Sequence, residues 1–337
     1  MKKNFKNFSS QIKLLEDRGL LIKSHSVLTT FLKTYNYEHC INGYNDPFFH
    51  AFDRKTNKYQ IKSSSEQIIE FFMFDEDLKK IFMHDLLLFE QKFSTGIIYY
   101  LHEKIQENSH FKKMSEDEKK KIINGDLFEI SLEELKLLCF ENFNLLIDKK
   151  NKKVECNSLL NELQVWEIFK KSCITLNKEN KTKVSIWKSC LSWTFGLKND
   201  FFLILSNDIK KKIISSCFNI KKEVSEEIYP CFFEFIYALQ LIRNKIFHND
   251  VLYNKFSGEK QSKYIHKIYV SLIDSKKINN KIYLNDIYEI LIILINKKNW
   301  KSETKNIKNL FSKSLKTLNP EQKQYIKNKI FGSKTKI

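Results

Sequence analysis

Residues 232–248 read FFEFIYALQLIRNKIFH, and their apolar side chains recur every three or four positions. This spacing places side chains on one face of an α-helix, so the segment predicts a helix with a wide buried face. Pro230 lies just ahead, and because a first helical turn tolerates proline we expect the helix to begin near it. The predicted buried positions are Phe232, Phe235, Ile236, Leu239, Ile242, Ile246 and Phe247.

The same segment carries polar side chains at spacings of three and four, which predicts a polar line along the helix. The members of this line are Tyr237, Gln240, Asn244 and His248. Arg243 is a second polar feature, because most residues three and four positions away from it are apolar. A guanidinium among apolar groups destabilises a fold unless it finds an anionic partner.

Arginine is rare in this chain. Of 58 Lys and Arg residues, three are arginine (Arg18, Arg54 and Arg243), which leaves 55 lysines. The planar guanidinium binds a phosphate through two parallel hydrogen bonds, which the point charge of lysine does not provide. Arg243 is therefore a candidate phosphate ligand.

Arg243 and His248 form an R-x4-H pair, and Asn244 directly follows the arginine. RNA is cut without a metal when a base takes the proton of the 2′-hydroxyl and an acid protonates the leaving 5′-oxygen. A cation must also stabilise the charge that builds on phosphorus. Histidine performs both proton transfers near neutral pH. Since one chain supplies one such histidine, the pattern predicts a composite site across a homodimer.

The R-x4-H pair is also compatible with a structural role. Arg243 would then form an ion pair, with Glu234 as the candidate partner, and His248 would lie at the negative end of the helix dipole. Two alternatives to a ribonuclease therefore stay open. One is a protein that sequesters RNA without cutting it, and the other is a helical adaptor in which R-x4-H arose by chance.

The composition is typical of a large helical protein. The 337 residues include 28 Phe and 14 Tyr, enough for a large core, but only 7 Gly and 3 Pro, the residues of tight turns. This excludes a collagen-like chain and disfavours a β-sandwich or barrel. We predict an all-α helical bundle with at most a small β-hairpin near residues 48–61, where residues 48–52 and 58–61 have strand-like patterns.

The net charge of +18 points to a polyanionic partner, although abundant Lys, Asn, Ile and Phe also reflect AT-rich codons. Seven cysteines without a C-x-x-C pair, and an N-terminus without an apolar signal region, predict a cytoplasmic protein with reduced thiols. The longest apolar runs are far shorter than the roughly 18 residues of a membrane span. The histidines lack metal-ligand spacing and no phosphate-binding glycine loop is present, so no metal and no cofactor is expected.

A second long helix opens at Ser64, which has capping-box spacing with Gln67, and is predicted to reach about Glu103. The acidic run Asp75-Glu76-Asp77 inside it is typical of a new helix start. The predicted buried positions of this helix are Ile68, Phe71, Phe72, Leu78, Ile81, Phe82, Leu86, Phe89 and Phe93.

Further helices are predicted on both sides of these two. The first covers residues 9–18, with Ser9 or Ser10 as its cap and Gly19 as its end, and the next covers 26–35. The remaining helices are predicted over 131–149, 158–176, 182–195, 201–218 with a break at Ser206, 264–274, 284–297, 303–316 and 320–331. The chain divides into three predicted regions, 1–105, 106–220 and 221–337.

Arg243-Asn244, His248 and Leu252-Tyr253-Asn254 resemble the RN…H…LWN signature of the Abi-like abortive-infection family, with tyrosine in place of tryptophan. Other segments resemble the family in the same order, although Lys79 stands where the family often has arginine. These segments are residues 11–15 with Arg18-Gly19-Leu20, Tyr35-Asn36-Tyr37 with Gly43-Tyr44, Phe74-Asp75 with Leu78-Lys79, Glu90, and Phe331-Gly332 after Pro320.

The Abi-like family is placed in the HEPN superfamily of all-α, metal-independent ribonucleases. The resemblance therefore implies a HEPN-like bundle that arrests growth during phage infection, with RNA as its partner. It implies that Arg243 and His248 are catalytic and that Asn244 supports them. It also implies RNA contacts by Lys245, Tyr253 and Asn254. Some family members are held by a structured non-coding RNA, which would make RNA an inhibitor as well as a substrate.

Overall fold

The structure is a computed structural model that describes residues 6–52, 54–107, 129–131, 183–185, 190, 193–217, 228–254, 256, 259–272, 281–295 and 300–333. The predicted all-α class is confirmed. The helices are α1 (Phe8–Asp17), α2 (His25–Thr34), α3 (Ser65–Glu107), α4 (Phe195–Ile204), α5 (Asn207–Lys212), α6 (Ile228–Phe247), α7 (Glu259–Leu272), α8 (Leu284–Leu294), α9 (Trp300–Glu303), α10 (Asn306–Lys313) and α11 (Pro320–Phe331).

Two short strands, β1 (Glu129–Ser131) and β2 (Lys183–Ser185), pair antiparallel with Ile130 opposite Val184. This corrects the start of the helix predicted over 182–195, because the β-branched side chains of Ile130 and Val184 suit an extended pair. The helix predicted over 158–176, and all but the first residue of the one over 131–149, lie outside the described residues.

Helix α3 is the axis of the fold, with 43 residues and a length of about 64 Å. The predicted cap is confirmed in part, since the Gln67 side chain accepts a hydrogen bond from the Ser64 amide at 3.0 Å. The predicted apolar positions of α3 are buried, except Ile81, which is partly buried. The new helix start at residues 75–77 is wrong, because α3 runs through them without a break and Asp75 is fully buried.

The first two helices begin at polar caps. Asn7 caps α1 by accepting a hydrogen bond from the Ser10 amide at 2.9 Å, which corrects the predicted cap at Ser9 or Ser10. Gly19, at φ +90°, follows the end of this helix as predicted. Ser24 caps α2 in the same way, through the Val27 amide.

The hairpin predicted near residues 48–61 is reduced to a single antiparallel bridge between Phe49 and Tyr59. The 3₁₀ turns Asp46–Phe48, His50–Phe52 and Arg54–Thr56 replace the strands. Phe52 and Asn57 have positive φ angles of 55° and 50°, which interrupt an extended backbone.

Helix α6 begins at Ile228, two residues before Pro230, and packs against α7, α4 and α3. Most of its predicted apolar face is buried as expected, and Ile246 is partly buried. Phe247 is an error of prediction, because it is the last helical residue and 55 % of it is exposed. Its ring instead lies beneath Arg243, whose Cζ is 4.4 Å from the ring centroid.

The C-terminal helices complete the core around α3. Helices α8 and α10 contact α3, while α11 contacts α8 and the turn Asp46–Phe48. The predicted break at Ser206 is confirmed, because α4 ends at Ile204 and α5 begins at Asn207. One cluster of buried apolar residues extends from Ile12 to Phe331. The boundaries of the three predicted regions stay a prediction.

Candidate active site

His248 caps the C-terminal end of α6 in a Schellman turn. The Asp250 amide donates to the Lys245 carbonyl at 2.8 Å, and the Asn249 amide donates to the Ile246 carbonyl at 3.1 Å. Asn249 adopts the left-handed φ of 53° that this turn requires, a conformation that asparagine tolerates better than most residues. The turn ends the helix one residue before His248 and leaves the imidazole exposed.

Asn244 and His248 line one open groove of about 330 Å³ at this helix end. The two residues are four positions apart, so they lie on the same side of α6, and the His248 amide donates to the Asn244 carbonyl at 2.9 Å. The other lining residues are Leu241, Ile242, Lys245, Asp250, Leu252 and Phe256. The groove therefore brings the His248 imidazole and the Asn244 amide together beside a largely apolar surface.

Arg243 lies on the adjacent side of α6 and faces α3. Its Nε is 3.8 Å from a carboxylate oxygen of Glu90, so the ion pair is too long for a hydrogen bond. The Nε–H is buried and has no hydrogen-bond partner among the described residues. The sequence alternative named Glu234 as the anionic partner, whereas the structure places Arg243 near Glu90.

Glu90 is shared between two cations. Its other carboxylate oxygen accepts a hydrogen bond from Lys198 Nζ of α4 at 2.9 Å. The Lys198 side chain is only 9 % exposed, whereas 29 % of the Arg243 side chain is exposed. Lys198 therefore holds the carboxylate, and Arg243 keeps donors that a phosphate can approach from solvent.

The three predicted RNA contacts have different surroundings. The Lys245 ammonium forms an ion pair with Asp250, and Lys245 lines the groove. Asn254 is half-buried in the segment that follows the Schellman turn. Tyr253 requires a correction, because the residue is 0 % exposed and its ring packs edge-on against Phe71 and at a tilt against Tyr44 in the core, away from any RNA on the surface.

The members of the predicted polar line on α6 differ in their exposure. Gln240 turns towards α4, where its amide would lie 2.6 Å from a Cβ atom built on Gly196. Leu241 is exposed instead, at 36 %. Tyr237, Leu241 and His248 are exposed, whereas Gln240 and Asn244 are half-buried.

Asp75 of α3 fixes the segment that follows His248. Its carboxylate accepts hydrogen bonds from the amides of Leu252 at 3.0 Å and Tyr253 at 2.8 Å. The Tyr44 hydroxyl donates to the same carboxylate at 2.7 Å. Burial raises the pKa of Asp75, whereas nearby Lys79 and the three donors oppose that rise.

Lys79, one helical turn further along α3, binds the Schellman turn itself. Its ammonium donates to the Asn249 side-chain oxygen at 3.3 Å and to Glu76 at 2.6 Å. The Lys79 side chain is 5 % exposed and lies 3.7 Å from Asp75. Asp75 and Lys79 thus form a brace that holds the residues before and after position 250.

His39 lies beside this brace. Its Nε2 is buried without a hydrogen-bond partner, and its ring packs against Tyr44 and Phe72. Burial lowers the pKa of His39, and the positive charge of Lys79 lowers it further. The carboxylates of Glu76 and Asp250 act in the opposite direction.

The brace was missed when residues 75–77 were interpreted as a helix start. The signal was present, because Asp75 and Lys79 are four residues apart on a helix and so occupy one face. The local sequence does not say that a segment some 177 residues away supplies the donors. Only the tertiary structure shows that these two residues serve the turn that carries His248.

Two general features bear on the site. Within the described ranges, no helix combines the length and the apolar character needed to cross a bilayer. Among the side chains that the structure describes, no three or more His, Cys, Asp or Glu residues are grouped so that they could hold a metal ion.

Comparison with known proteins identifies a family. No curated protein and no solved structure matches the chain. The family model for Abi-like protein matches residues 30–254, about two thirds of the 337 residues. The match begins within α2 and covers α3, the brace and the helix end with Arg243 and His248, and it stops at Asn254. The chain belongs to the Abi-like protein family.

Proposed function

We propose that this chain is an abortive-infection protein of HEPN type that binds RNA in the cytoplasm and cuts it without a metal. Family membership supports the role in phage defence. The observation that carries the chemical proposal is the groove at the end of α6, where His248 is exposed, Asn244 is half-buried, and Arg243 directly precedes Asn244 on the adjacent side of the helix. These residues have the chemistry that cleavage of a phosphodiester requires.

The proposed reaction is an internal transfer at phosphorus. A neutral His248 takes the proton of a 2′-hydroxyl, and the 2′-oxygen attacks phosphorus. The bond from phosphorus to the 5′-oxygen breaks, and a protonated imidazole supplies the proton that this oxygen gains. Arg243 stabilises the additional negative charge in the transition state. The products are a 2′,3′-cyclic phosphate and a 5′-hydroxyl, and no external reactant is consumed.

A second copy of the chain completes the proposed site. One chain offers a single histidine at the groove, and Arg243 is not among the groove's lining residues. The exposed side of α6 presents Tyr237 at 37 % and Leu241 at 36 % exposure, which suits apolar packing against the same helix of a partner. A homodimer built on this surface would bring two histidines and two arginines together.

The decisive experiment is cleavage of RNA by the purified protein in EDTA. We expect products with 2′,3′-cyclic phosphate ends, and we expect both Arg243→Ala and His248→Ala to lose at least about a hundredfold in rate. Arg243→Lys tests the guanidinium, because it keeps the charge and removes the fork. His25→Ala is the matched control, since His25 is exposed on α2.

The outcomes separate the alternatives. RNA binding without cleavage by the wild-type protein would favour sequestration, and cleavage or growth arrest that survives in His248→Ala would refute the catalytic assignment. A structured non-coding RNA is proposed as the natural inhibitor. Co-purification of a discrete RNA, followed by suppression of cleavage when it is added back, would support that assignment.

A further inference from the structure

A second cavity lies at the N-terminal end of the molecule, away from the α6 groove. It has a volume of about 680 Å³ and lies between α1, the segment 36–45 and the turns of residues 49–57. This volume is within the range of about 300–1,000 Å³ that is usual for small-molecule sites. The function proposed above makes no use of this cavity.

Two of the three arginines in the chain line this cavity. Arg18 comes from the end of α1, and Arg54 comes from the third 3₁₀ turn. Fifty-five of the 58 basic residues are lysine, so the convergence of Arg18 and Arg54 on one cavity is not a consequence of general basicity. A guanidinium group binds phosphate through two parallel hydrogen bonds, so two of them on one wall suit a phosphate ligand.

Arg54 is oriented by an ion pair with a carboxylate that lies outside the cavity wall. Its Nε–H donates to Asp46, a side chain that is 15 % exposed and does not line the cavity. This bond uses one of the five N–H donors of the guanidinium and orients the others. The Arg54 side chain is 57 % exposed, so an anion can reach it.

The charges on the wall favour an anionic ligand. Lys6, Arg18 and Arg54 are the basic lining residues, and Glu38 is the acidic one. The Glu38 carboxylate accepts a hydrogen bond from Asn42 at 2.6 Å, which ties it to its own segment. When Asp46 is counted against Arg54, three cations face two carboxylates, so the balance stays positive by one charge and favours an anion.

Two polar atoms of the lining residues are buried and unpaired. The Tyr37 hydroxyl and the Gln11 side-chain oxygen have no hydrogen-bond partner among the described residues. Unpaired buried polar groups are rare in folded proteins and are commonly satisfied by a ligand or by water. Burial raises the pKa of Tyr37, so its hydroxyl remains a neutral donor.

The rest of the wall suits a nucleobase. Its amide groups can both donate and accept hydrogen bonds, as the edges of bases require. The aromatic ring of Phe49 and the side chain of Leu14 provide apolar surface. The amide-bearing residues are Gln11, Asn36, Asn42, Asn45 and Asn57. The amides of Asn42 and Asn45 already bond to each other and to Glu38 and Tyr59, which leaves Gln11, Asn36 and Asn57 as the better candidates for contacts with a base.

We propose that the cavity lined by Arg18, Arg54 and Tyr37 binds a nucleotide, with its phosphate on the two arginines and its base against the amides and Phe49. The ligand is either a mononucleotide in solution or an unpaired nucleotide of an RNA strand, since both present the same phosphate and base. The site is separate from the α6 groove and does not depend on the proposed cleavage reaction.

Binding measurements on the full-length protein test this site. Calorimetry with the four nucleoside 5′-monophosphates is one arm, and fluorescence anisotropy with a short labelled 5′-phosphorylated oligouridylate is the other. We expect Arg18→Gln and Arg54→Gln each to weaken binding at least about tenfold. Lys13→Gln is the matched control, because it removes one positive charge from an exposed position of α1 outside the cavity.

The two arms distinguish the sources of the nucleotide. Binding of the monophosphates that depends on both arginines identifies a mononucleotide site, and dependence seen only with the oligonucleotide identifies an RNA strand. Equal losses in Lys13→Gln and in the arginine variants, or no loss in any of them, would overturn the proposal. If the glutamine variants do not fold, Arg18→Lys and Arg54→Lys test the site instead. They keep the positive charge but remove the planar guanidinium, so weaker nucleotide binding is expected.

The nucleotide-site proposal and the ribonuclease proposal can be refuted independently of each other. His248→Ala should bind the nucleotide as tightly as the wild-type protein, even though it should not cleave RNA. Conversely, loss of cleavage in His248→Ala with no arginine-dependent binding would leave the ribonuclease intact and refute the nucleotide site.

Discussion

Lys79 donates a hydrogen bond to Asn249 across 3.3 Å, although 170 residues separate them in the chain. Asn249 is the left-handed residue of the turn that carries His248. The ammonium is almost fully buried, so its bond to Asn249 is protected from competing water. The orientation of His248 thus depends on a side chain of α3 that does not touch the groove.

Asp75→Asn should destabilise the protein by about 3 kcal/mol, since the amide replaces one acceptor oxygen with a donor that faces another donor. Both carboxylate oxygens of Asp75 accept bonds from amides of the segment after His248. Urea unfolding measures the change. Asp77→Asn is the control, because Asp77 is 46 % exposed and pairs with Lys80, and it should change stability by less than about 0.5 kcal/mol. Similar losses in the two variants would contradict the role of Asp75.

Glu90→Gln should destabilise the protein by about 2 kcal/mol, because it leaves the buried Lys198 ammonium without its carboxylate. The glutamine oxygen can still accept the hydrogen bond from Lys198, so the loss of stability should be smaller than if the whole side chain were removed. Glu103→Gln on the same helix is the control, since the Glu103 and Lys212 side chains are 35 % and 41 % exposed. Thermal unfolding should show little change for Glu103→Gln, and a larger loss there than for Glu90→Gln would be inconsistent with the structure.

Gly43→Ala should cost about 1–3 kcal/mol, because overpacking strains both neighbours of the new methyl group. A Cβ at residue 43 would lie 2.6 Å from the His39 carbonyl oxygen and from Val251, which follows the His248 turn. Gly196→Ala is the contrasting variant, since its nearest contact is the flexible Gln240 side-chain amide. Urea unfolding should show a clearly lower free energy of unfolding for Gly43→Ala than for Gly196→Ala. The reverse order would refute the close packing of residue 43 against His39 and Val251.

Stability should fall as the pH is lowered through about 6.5, the ordinary pKa of histidine. The pKa of His39 is lowered in the folded protein, so the unfolded chain binds more protons in this range and unfolding becomes easier. His39→Phe should reduce this pH dependence, as measured by urea unfolding across the range. Part of the dependence should remain, because burial also lowers the pKa of His102. An unchanged profile in His39→Phe, with His25→Gln as the exposed control, would contradict the prediction.

Tyr237→Glu should convert the proposed dimer to single chains and abolish cleavage, because it places a charge on the exposed apolar side of α6. Tyr237 does not line the groove of His248, so a direct effect on the reacting groups is avoided. The solution mass and the cleavage rate are measured together. Tyr99→Glu on α3 is the control, since Tyr99 is 57 % exposed and should leave both unchanged. A wild-type mass of one chain with full cleavage would rule out the composite site.

The helices could be predicted where the pattern is local. The apolar spacing of α3 and α6 identified most of their buried positions, and Gln67 revealed the start of α3. The error at residues 75–77 has a physical reason. Three acidic residues have the same local sequence pattern at a helix start and in a helix interior, and only the bonds of Asp75 to the Leu252 and Tyr253 amides distinguish the two cases.

The candidate site was predicted in part for the same reason. Arg243, Asn244 and His248 share one helix end, which the helical spacing alone predicts. The partner of Arg243 depends on which helix packs beside α6, so Glu90 was not predictable from α6 alone. Tyr253 was predicted to contact RNA, whereas its ring packs against Phe71 in the core. Gln240 was placed on the polar line, whereas its side chain turns towards Gly196 of α4.

The bonds from Leu252 and Tyr253 to Asp75 join residues that are 177 and 178 positions apart. Closure of so long a loop costs conformational entropy, so contacts between such distant residues form more slowly than local ones. During synthesis, α3 leaves the ribosome long before the segment that it must bind has been made. A chain that has not yet reached Leu252 and Tyr253 therefore lacks the bonds that fix the segment after His248.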